Sequence, residues 1–363
     1  MTAVRGIMRK FTLLTALAAV CLAAAPARAQ FYKDKTLTLL INFGVGGNAD
    51  TEARVYQRFL PKHIPGAPNI VLQNMPGAGG INAINMLGNN VGSRPDGLTL
   101  GYFTFSVPPV IADDPAMKTN VADFIAIGGT RSWAVAYARK DTAPGLKTPA
   151  DIVKATKLFA GGYSRPTLHD TRLRLSLEVL GVPYGMVTGF QSSSALNKAM
   201  LQNEIQITAS TLPGYQTQAV PQLIQTGVAM PLYQYPVMDR AGSPVGNPAL
   251  VAQGLPLFNT VYAEAFGRQP SGPKWQALLL INHLGTQIQR LIVLPKGSPM
   301  EAAADLRSAF QAMIRDPDCI TDYQRITNEK PDIAPAEEVE PVLASLRTVD
   351  PAIKQVIKDS LAE

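Results

Sequence analysis

The sequence predicts an α/β fold divided into two lobes, and three observations carry that expectation. Short apolar runs of strand length alternate with helix-like stretches, the pattern of sheets joined by crossover helices. Two strand–glycine-loop–helix units, at 37–60 and 157–180, lie more than a hundred residues apart. A chain of 363 residues also exceeds what a single hydrophobic core ordinarily serves.

The front of the chain stands apart from this pattern. Arg5, Arg9 and Lys10 form a basic start, and residues 11–25 are an apolar run of signal-peptide length, too short to span a bilayer. Ala27-Arg28-Ala29 offers a small-x-small cleavage site, so residues 1–29 read as a cleavable signal peptide and the rest as an exported, periplasmic chain. The bulky Val20 before Cys21 argues against a lipoprotein. Removing four basic residues (Arg5, Arg9, Lys10, Arg28) from 33 leaves 29 against 27 acidic, a balance of +2. With that balance and no dense Lys/Arg cluster, nucleic acid is not expected as a partner. Cys319 is then the single cysteine, so no internal disulfide is expected and the core must hold the fold.

Element by element, 37–43 reads as a buried strand and 51–60 as a helix closed by Pro61. Residues 70–74 form a second strand, 81–87 a helix, and 98–103 a third strand after the Asp96-Gly97 turn. Further strands are expected at 124–130, 134–138 and 157–161. Thr148 and Pro149 open a helix as N-cap and first residue. Helices follow at 171–180, stopped by Gly181, and at 193–202, with a strand at 205–210. The Pro- and Gly-rich stretch 236–275 reads as long loops. Ser298-Pro299 opens a helix to about Met313, and 341–361 forms one or two surface helices. There is no internal repeat and no low-complexity tract.

The loop Phe43-Gly44-Val45-Gly46-Gly47-Asn48-Ala49-Asp50 carries the chemistry. A strand that turns sharply into a helix points free backbone N–H groups, backed by the helix dipole, at one spot. Such a place suits an anion. If the second unit sits in the other lobe, two helix N-termini face one cleft and clamp a small anion from both sides. Asp50 is favoured at a helix start and reads as structural, which leaves Asn48 as the better contact. The loop also matches the dinucleotide fingerprint from Gly44 to Ala49. The acid that a ribose needs is missing, because the second strand ends in Gln73 and Asn74. His63, His169 and His283 are scattered, with no metal-ligand spacing, and no cofactor is implied. Ser164, His169 and Asp170 make a thin hydrolytic cluster without a nucleophile elbow. Trp133 and Tyr137 fit a cleft or a core equally. One of Ser192, Ser193 and Ser194 caps the following helix, while Leu196 and Met200 sit at core spacing.

Three motifs in order, Phe43-x-x-Gly46-Gly47-x-x-Asp50, Asn74-x-Pro76-Gly77-Ala78-Gly79-Gly80 and Asp96-Gly97-x-Thr99-Leu100, resemble the solute receptors of the tripartite tricarboxylate transporters, the Bug or TctC family. Looser matches continue through Ser164-x-x-Thr167-x-His169, residues 189–196 and Pro295-x-Gly297-x-Pro299. The resemblance implies a type II periplasmic binding protein with two α/β lobes, each a mixed, mainly parallel sheet flanked by helices and joined by crossing strands. It implies binding of a small carboxylate (a di- or tricarboxylate or an aromatic acid) with hinge closure, no catalysis and delivery to a membrane permease of a large and a small subunit. Lobe 1 is expected at 30–132 plus 227–363 and lobe 2 at 133–226, in a monomer. The ligand would be held by Phe43, Gly46, Gly47 and Asn48 from one loop and by Ser164, Arg165, Thr167 and His169 from the other. Thr104, Ser106, Gln191, Ser192 and Thr211 would complete the site. Three departures stand out. The second loop, Gly161–His169, is bulkier and carries Arg165; Gln206 stands where the family has Asp; and 236–290 is longer than usual. Arg165 is expected to pair with a second carboxylate. The other readings are an exported hydrolase or lyase acting in the same cleft, and a receptor that signals to a sensor kinase.

Overall fold

The computed structural model describes residues 30–90 and 94–362, so the signal-peptide expectation for 1–29 lies outside the described residues. The strands are β1 (Thr36–Ile41), β2 (Asn69–Asn74), β3 (Thr99–Thr104), β4 (Ile125–Thr130), β5 (Ala134–Arg139), β6 (Phe159–Gly161), β7 (Gly185–Val187), β8 (Ile207–Thr211), β9 (Ala229–Gln234), β10 (Val237–Met238), β11 (Pro244–Val245), β12 (Arg290–Leu294) and β13 (Ile333–Pro335). The longer helices are α1 (Asn48–Phe59), α2 (Ile81–Gly88), α3 (Leu168–Val179), α4 (Ser193–Leu201), α5 (Phe258–Phe266), α6 (Pro273–Gln287), α7 (Met300–Met313), α8 (Pro317–Thr327), α9 (Ala336–Ser345) and α10 (Pro351–Ala362). Among the described residues no helix is long and apolar enough to cross a membrane.

Two mixed sheets form the frame, in the orders β13-β4-β12-β3-β1-β2 and β7-β6-β8-β5-β9. Parallel pairing joins β1 to β2 and β3, and β6 to β7 and β8. Antiparallel neighbours come from β12, β13 and β5, so the sheets are mixed more evenly than the expected mainly parallel form. The reason lies in the crossings. β4 runs directly into β5 of the other sheet, and β12 returns after α6, and both run opposite to the strands beside them.

The expected elements recur within a few residues, with instructive differences. The helix foreseen at Thr148 is a 3-10 turn, Pro149–Lys154, where Asp151 Oδ2 accepts the Thr148 N–H at 2.8 Å. α3 begins three residues before the expected start, because Thr167 caps it by accepting the Asp170 N–H at 3.1 Å. The 236–275 stretch is structured. It holds the β10–β11 hairpin, a short helix at Pro248–Ala252 capped by Asn247, and α5, which ends at Gly267 with φ 68°. Pro248 and Pro273 there occupy helix first turns, where the missing N–H costs nothing.

The strands β9, β12 and β13 had no sequence signal. β9 pairs with β5 in the second sheet, beyond the boundary expected at 226. Leu40, Phe103, Leu291 and Val293 pack one face of the first sheet, and Leu39, Tyr102, Ile292 and Phe310 the other. Each such fully buried side chain contributes about 1.5–3 kcal/mol. Tyr137 belongs to the core under the second sheet, its hydroxyl donating to Asn197 Oδ1 at 2.7 Å, and Trp133 packs against the same core. Cys319 is buried and free, and burial pushes its thiol up to about 11.

Candidate functional site

The ends of β1, β3, β6 and β8 converge between the two sheets, where α/β folds present their loops. At the first end, Asn42 is fully buried and clips β1 to β3. Its Nδ2 donates to the Thr104 carbonyl at 2.9 Å, and its Oδ1 accepts the Thr104 N–H at 2.8 Å. The chain then turns through Gly46, whose φ of 79° suits glycine, into α1. Asp50 sits in the first turn, accepts the Gly46 N–H at 3.1 Å and pairs with Arg54 at 3.0 Å, so it shapes the loop, as expected. The first-turn N–H groups of Asn48 and Ala49 have no acceptor within the helix and lie at the cavity.

The second end is built around Asp170, fully buried. Its Oδ1 accepts the Tyr163 N–H at 2.9 Å and the Thr167 hydroxyl at 2.7 Å, and lies 3.0 Å from His169 Nδ1. His169 Nε2 lies 3.1 Å from the Ala209 carbonyl and 3.2 Å from the Thr208 hydroxyl, which itself donates to the Gly161 carbonyl. Both ring nitrogens therefore face acceptors, which fixes the imidazole between α3 and β8. Gly162 is required here: a Cβ would stand 2.2 Å from Asp170 Oδ2.

Between the two ends lies a cavity of about 80 Å³. That is roughly five times the space that one water needs. Of the residues expected from sequence, Phe43, Gly47 and Asn48 line it from the first loop, and Thr104 and Ser106 from the end of β3. Thr167, His169, Ser192 and Thr211 line it from the second sheet. Ser192 also caps α4, accepting the Ala195 N–H at 3.3 Å. Gly46 shapes the turn and lies off the wall. Ser164, Arg165 and Gln191 line a neighbouring cleft that shares Phe43, Gly79 and Tyr163 with the cavity. Arg165 is exposed, so the structure does not bring it among the cavity residues. Gln206 also lies off the cavity; its Oε1 accepts the Phe159 N–H at 2.9 Å, tying β8 to β6.

Four bonds tie the two sides together. Asn48 Nδ2 donates to Thr211 Oγ1 at 3.2 Å, and Gln218 Nε2 donates to Asn48 Oδ1 at 2.9 Å. Ser106 Oγ donates to the Pro166 carbonyl at 2.7 Å, and the Gly44 N–H to the Gln191 carbonyl at 3.4 Å. The rings of Phe43 and Tyr163 meet edge-on at 5.3 Å.

Sequence reasoning missed the two arginines of the cavity. Arg290 opens β12, 2% exposed, and grips Glu52 with its Nε and Nη2 at 3.1 and 2.9 Å. Tyr102 donates to the same carboxylate at 2.8 Å, and Arg290 Nη1 donates to Thr104 Oγ1 at 3.1 Å. Burial alone would pull the guanidinium down, but Glu52 outweighs it and holds Arg290 raised. Arg172, on α3, is 3% exposed. The signal for it was its place three residues after His169, on the same helix face. No signal in the sequence tied Arg290 to the loops. Among the described residues no group of three His, Cys, Asp or Glu side chains stands together as a metal site needs.

Two α/β sheets with a cavity between their loops are the architecture of a periplasmic binding protein, and the solved structures that match are of that kind. The periplasmic binding protein BugD superposes with TM-score 0.66 at 14% identity, over 91% of this chain and 98% of its own. MatC from Rhodopseudomonas palustris, solved with bound malate, gives 0.63 at 19%, over 90% and 99%. Another R. palustris protein, solved with adipate, gives 0.63 at 18%, over 91% and 98%. Among curated proteins, a UPF0065 protein from the gbd 5' region of Cupriavidus necator is 28% identical over 218 residues, 57% of this chain. The match spans 63% of that relative's length. No family model matches the chain. The fold is that of the Bug and TctC binding proteins, and the resemblance read from the sequence motifs is borne out. Of these neighbours, BugD is a periplasmic binding protein and MatC holds malate.

Proposed function

We propose that this protein is a periplasmic solute receptor that captures a small carboxylate in the cavity between its two lobes and delivers it to a tripartite tricarboxylate permease. The observation that carries the reading is the meeting of two helix N-termini, α1 and α3, from different lobes at one cavity. Asn48, Thr104, Ser106, Thr167, Ser192 and Thr211 add amide and hydroxyl groups around them, the donor set a carboxylate needs. Malate and adipate in two of the structural neighbours support the same ligand class. The lobes are 30–132 with 290–363 and 133–289, moving the second boundary from 226 to the far side of β9 and α6. Periplasmic residence follows from the same reading.

The hydrolytic alternative finds no support in the geometry. His169 is committed at both ring nitrogens to Asp170, Thr208 and Ala209, and Ser164 lies on the neighbouring cleft. A base so held is not placed to activate that serine.

Thermal unfolding against a panel of dicarboxylates, citrate and aromatic acids tests the proposal. Binding at a hundred times the Kd adds about 2.7 kcal/mol, which raises the midpoint by several degrees. No shift with any acid, after unfolding, dialysis and refolding to clear bound ligand, sinks the carboxylate reading.

A further inference from the structure

Three basic side chains line the cavity: His169, Arg290 and Arg172. The first stands 3.0 Å from Asp170 and the second is forked onto Glu52. Arg172 has no such partner. Its Nε and Nη2 are buried and find no hydrogen-bond acceptor, and its nearest electrostatic neighbour is the Tyr235 ring, 5.0 Å from the guanidinium carbon. Burial pushes this guanidinium down to about 10. A cation held from water without an anion is costly, and an anion that pairs with it removes much of that cost.

The geometry says what should arrive. Nε and Nη2 flank one edge of a guanidinium, the edge that grips a carboxylate with two parallel hydrogen bonds. Arg290 uses the same edge on Glu52, at 3.1 and 2.9 Å. In Arg172 that edge is vacant. His169 and Arg172 share a helix face, and Arg172 lies one turn deeper from the α3 N-terminus. Arg172 lines the same cavity as the two helix N-termini, so a ligand whose first carboxylate meets them shares that cavity with the Arg172 guanidinium.

We infer that Arg172 is the specificity-determining residue of the cavity, its Nε–Nη2 edge taking a second carboxylate, so that the cargo is a dicarboxylic acid. This rests on the carboxylate-receptor reading and assigns to Arg172 the role expected from sequence of Arg165.

The test is calorimetric titration of refolded, ligand-free full-length protein with two acid series of matched carbon number: succinate and adipate against butyrate and hexanoate. Wild type should bind one of the diacids ten- to a hundredfold more tightly than its single-acid counterpart, the range for charge-assisted bonds. R172M should erase that preference while leaving monoacid affinity within about twofold. R172K should keep part of it. The ligand-free R172M protein should melt at or above the wild-type temperature, since an unpaired buried charge is removed. Equal weakening of both series by R172M, or a midpoint several degrees lower without ligand, makes Arg172 structural and overturns the inference. Binding of both series without preference overturns it too and leaves the receptor reading standing. No heat with any of the four acids overturns both.

Discussion

At the scale of single residues, burial decides which ionisable groups are sensitive. Glu329 is pushed up to about 8, first by burial and then by the negative charges of Glu52 and Asp332. Its folded form keeps a proton that the unfolded chain releases near 4.5. Stability from this group is therefore complete below about pH 4.5 and lost as pH rises through about 8. Glu329→Gln should flatten the fall in melting temperature between pH 5 and 8 and leave the variant the more stable protein at pH 8. Parallel curves for variant and wild type would refute that. Glu52 matters through its pairing, because its carboxylate neutralises the buried Arg290 guanidinium. Glu52→Gln strands a buried guanidinium and should cost about 3–5 kcal/mol, read by denaturant unfolding.

At the scale of elements, short hydrogen-bonded devices set where helices begin, and these place the site. Thr167 caps α3, so Thr167→Ala should cost about 1 kcal/mol, a couple of degrees in the melting midpoint. Gly214 lets the chain after β8 pass against α1: a Cβ there would stand 1.8 Å from Asn48 Nδ2 and 2.5 Å from Ser210 Oγ. Gly214→Ala should displace Asn48, lowering affinity for a carboxylate while changing helix content little, as titration and circular dichroism together will tell. The sequence made the parallel units legible, since an apolar run ending in glycines before a helix has few other readings. It did not reveal β12. Arg290–Leu294 follows α6 after only Ile288 and Gln289, with no turn residue between, and an apolar run of four, residues 291–294, cannot be told from continuing helix by period. The loops that hold Asn48, Thr167 and His169 were visible because they are local. Arg290 was not, because its partner Glu52 is 238 positions away.

At the scale of the molecule, Asn48 makes two of the four bonds that bridge the cavity, while Phe105, Arg131 and Ser132 bond Gln289, Gln287 and Thr286 at the crossings. Asn48→Ala combined with Ser106→Ala removes three of the four, so the ligand-free protein should open. Small-angle scattering should record a larger radius of gyration than wild type, and a saturating diacid should reduce the difference. Identical radii would mean that the crossing strands alone fix the lobes. The cavity also has a history in time. Its walls pair Asn48 with Thr211, 163 positions later, and close with Arg290. A chain that has emerged only as far as β9 has both helix N-termini but no floor beneath them. Contacts of such long range form late in folding. A cavity walled by residues so far apart in sequence is therefore complete only once β12 has joined the first sheet.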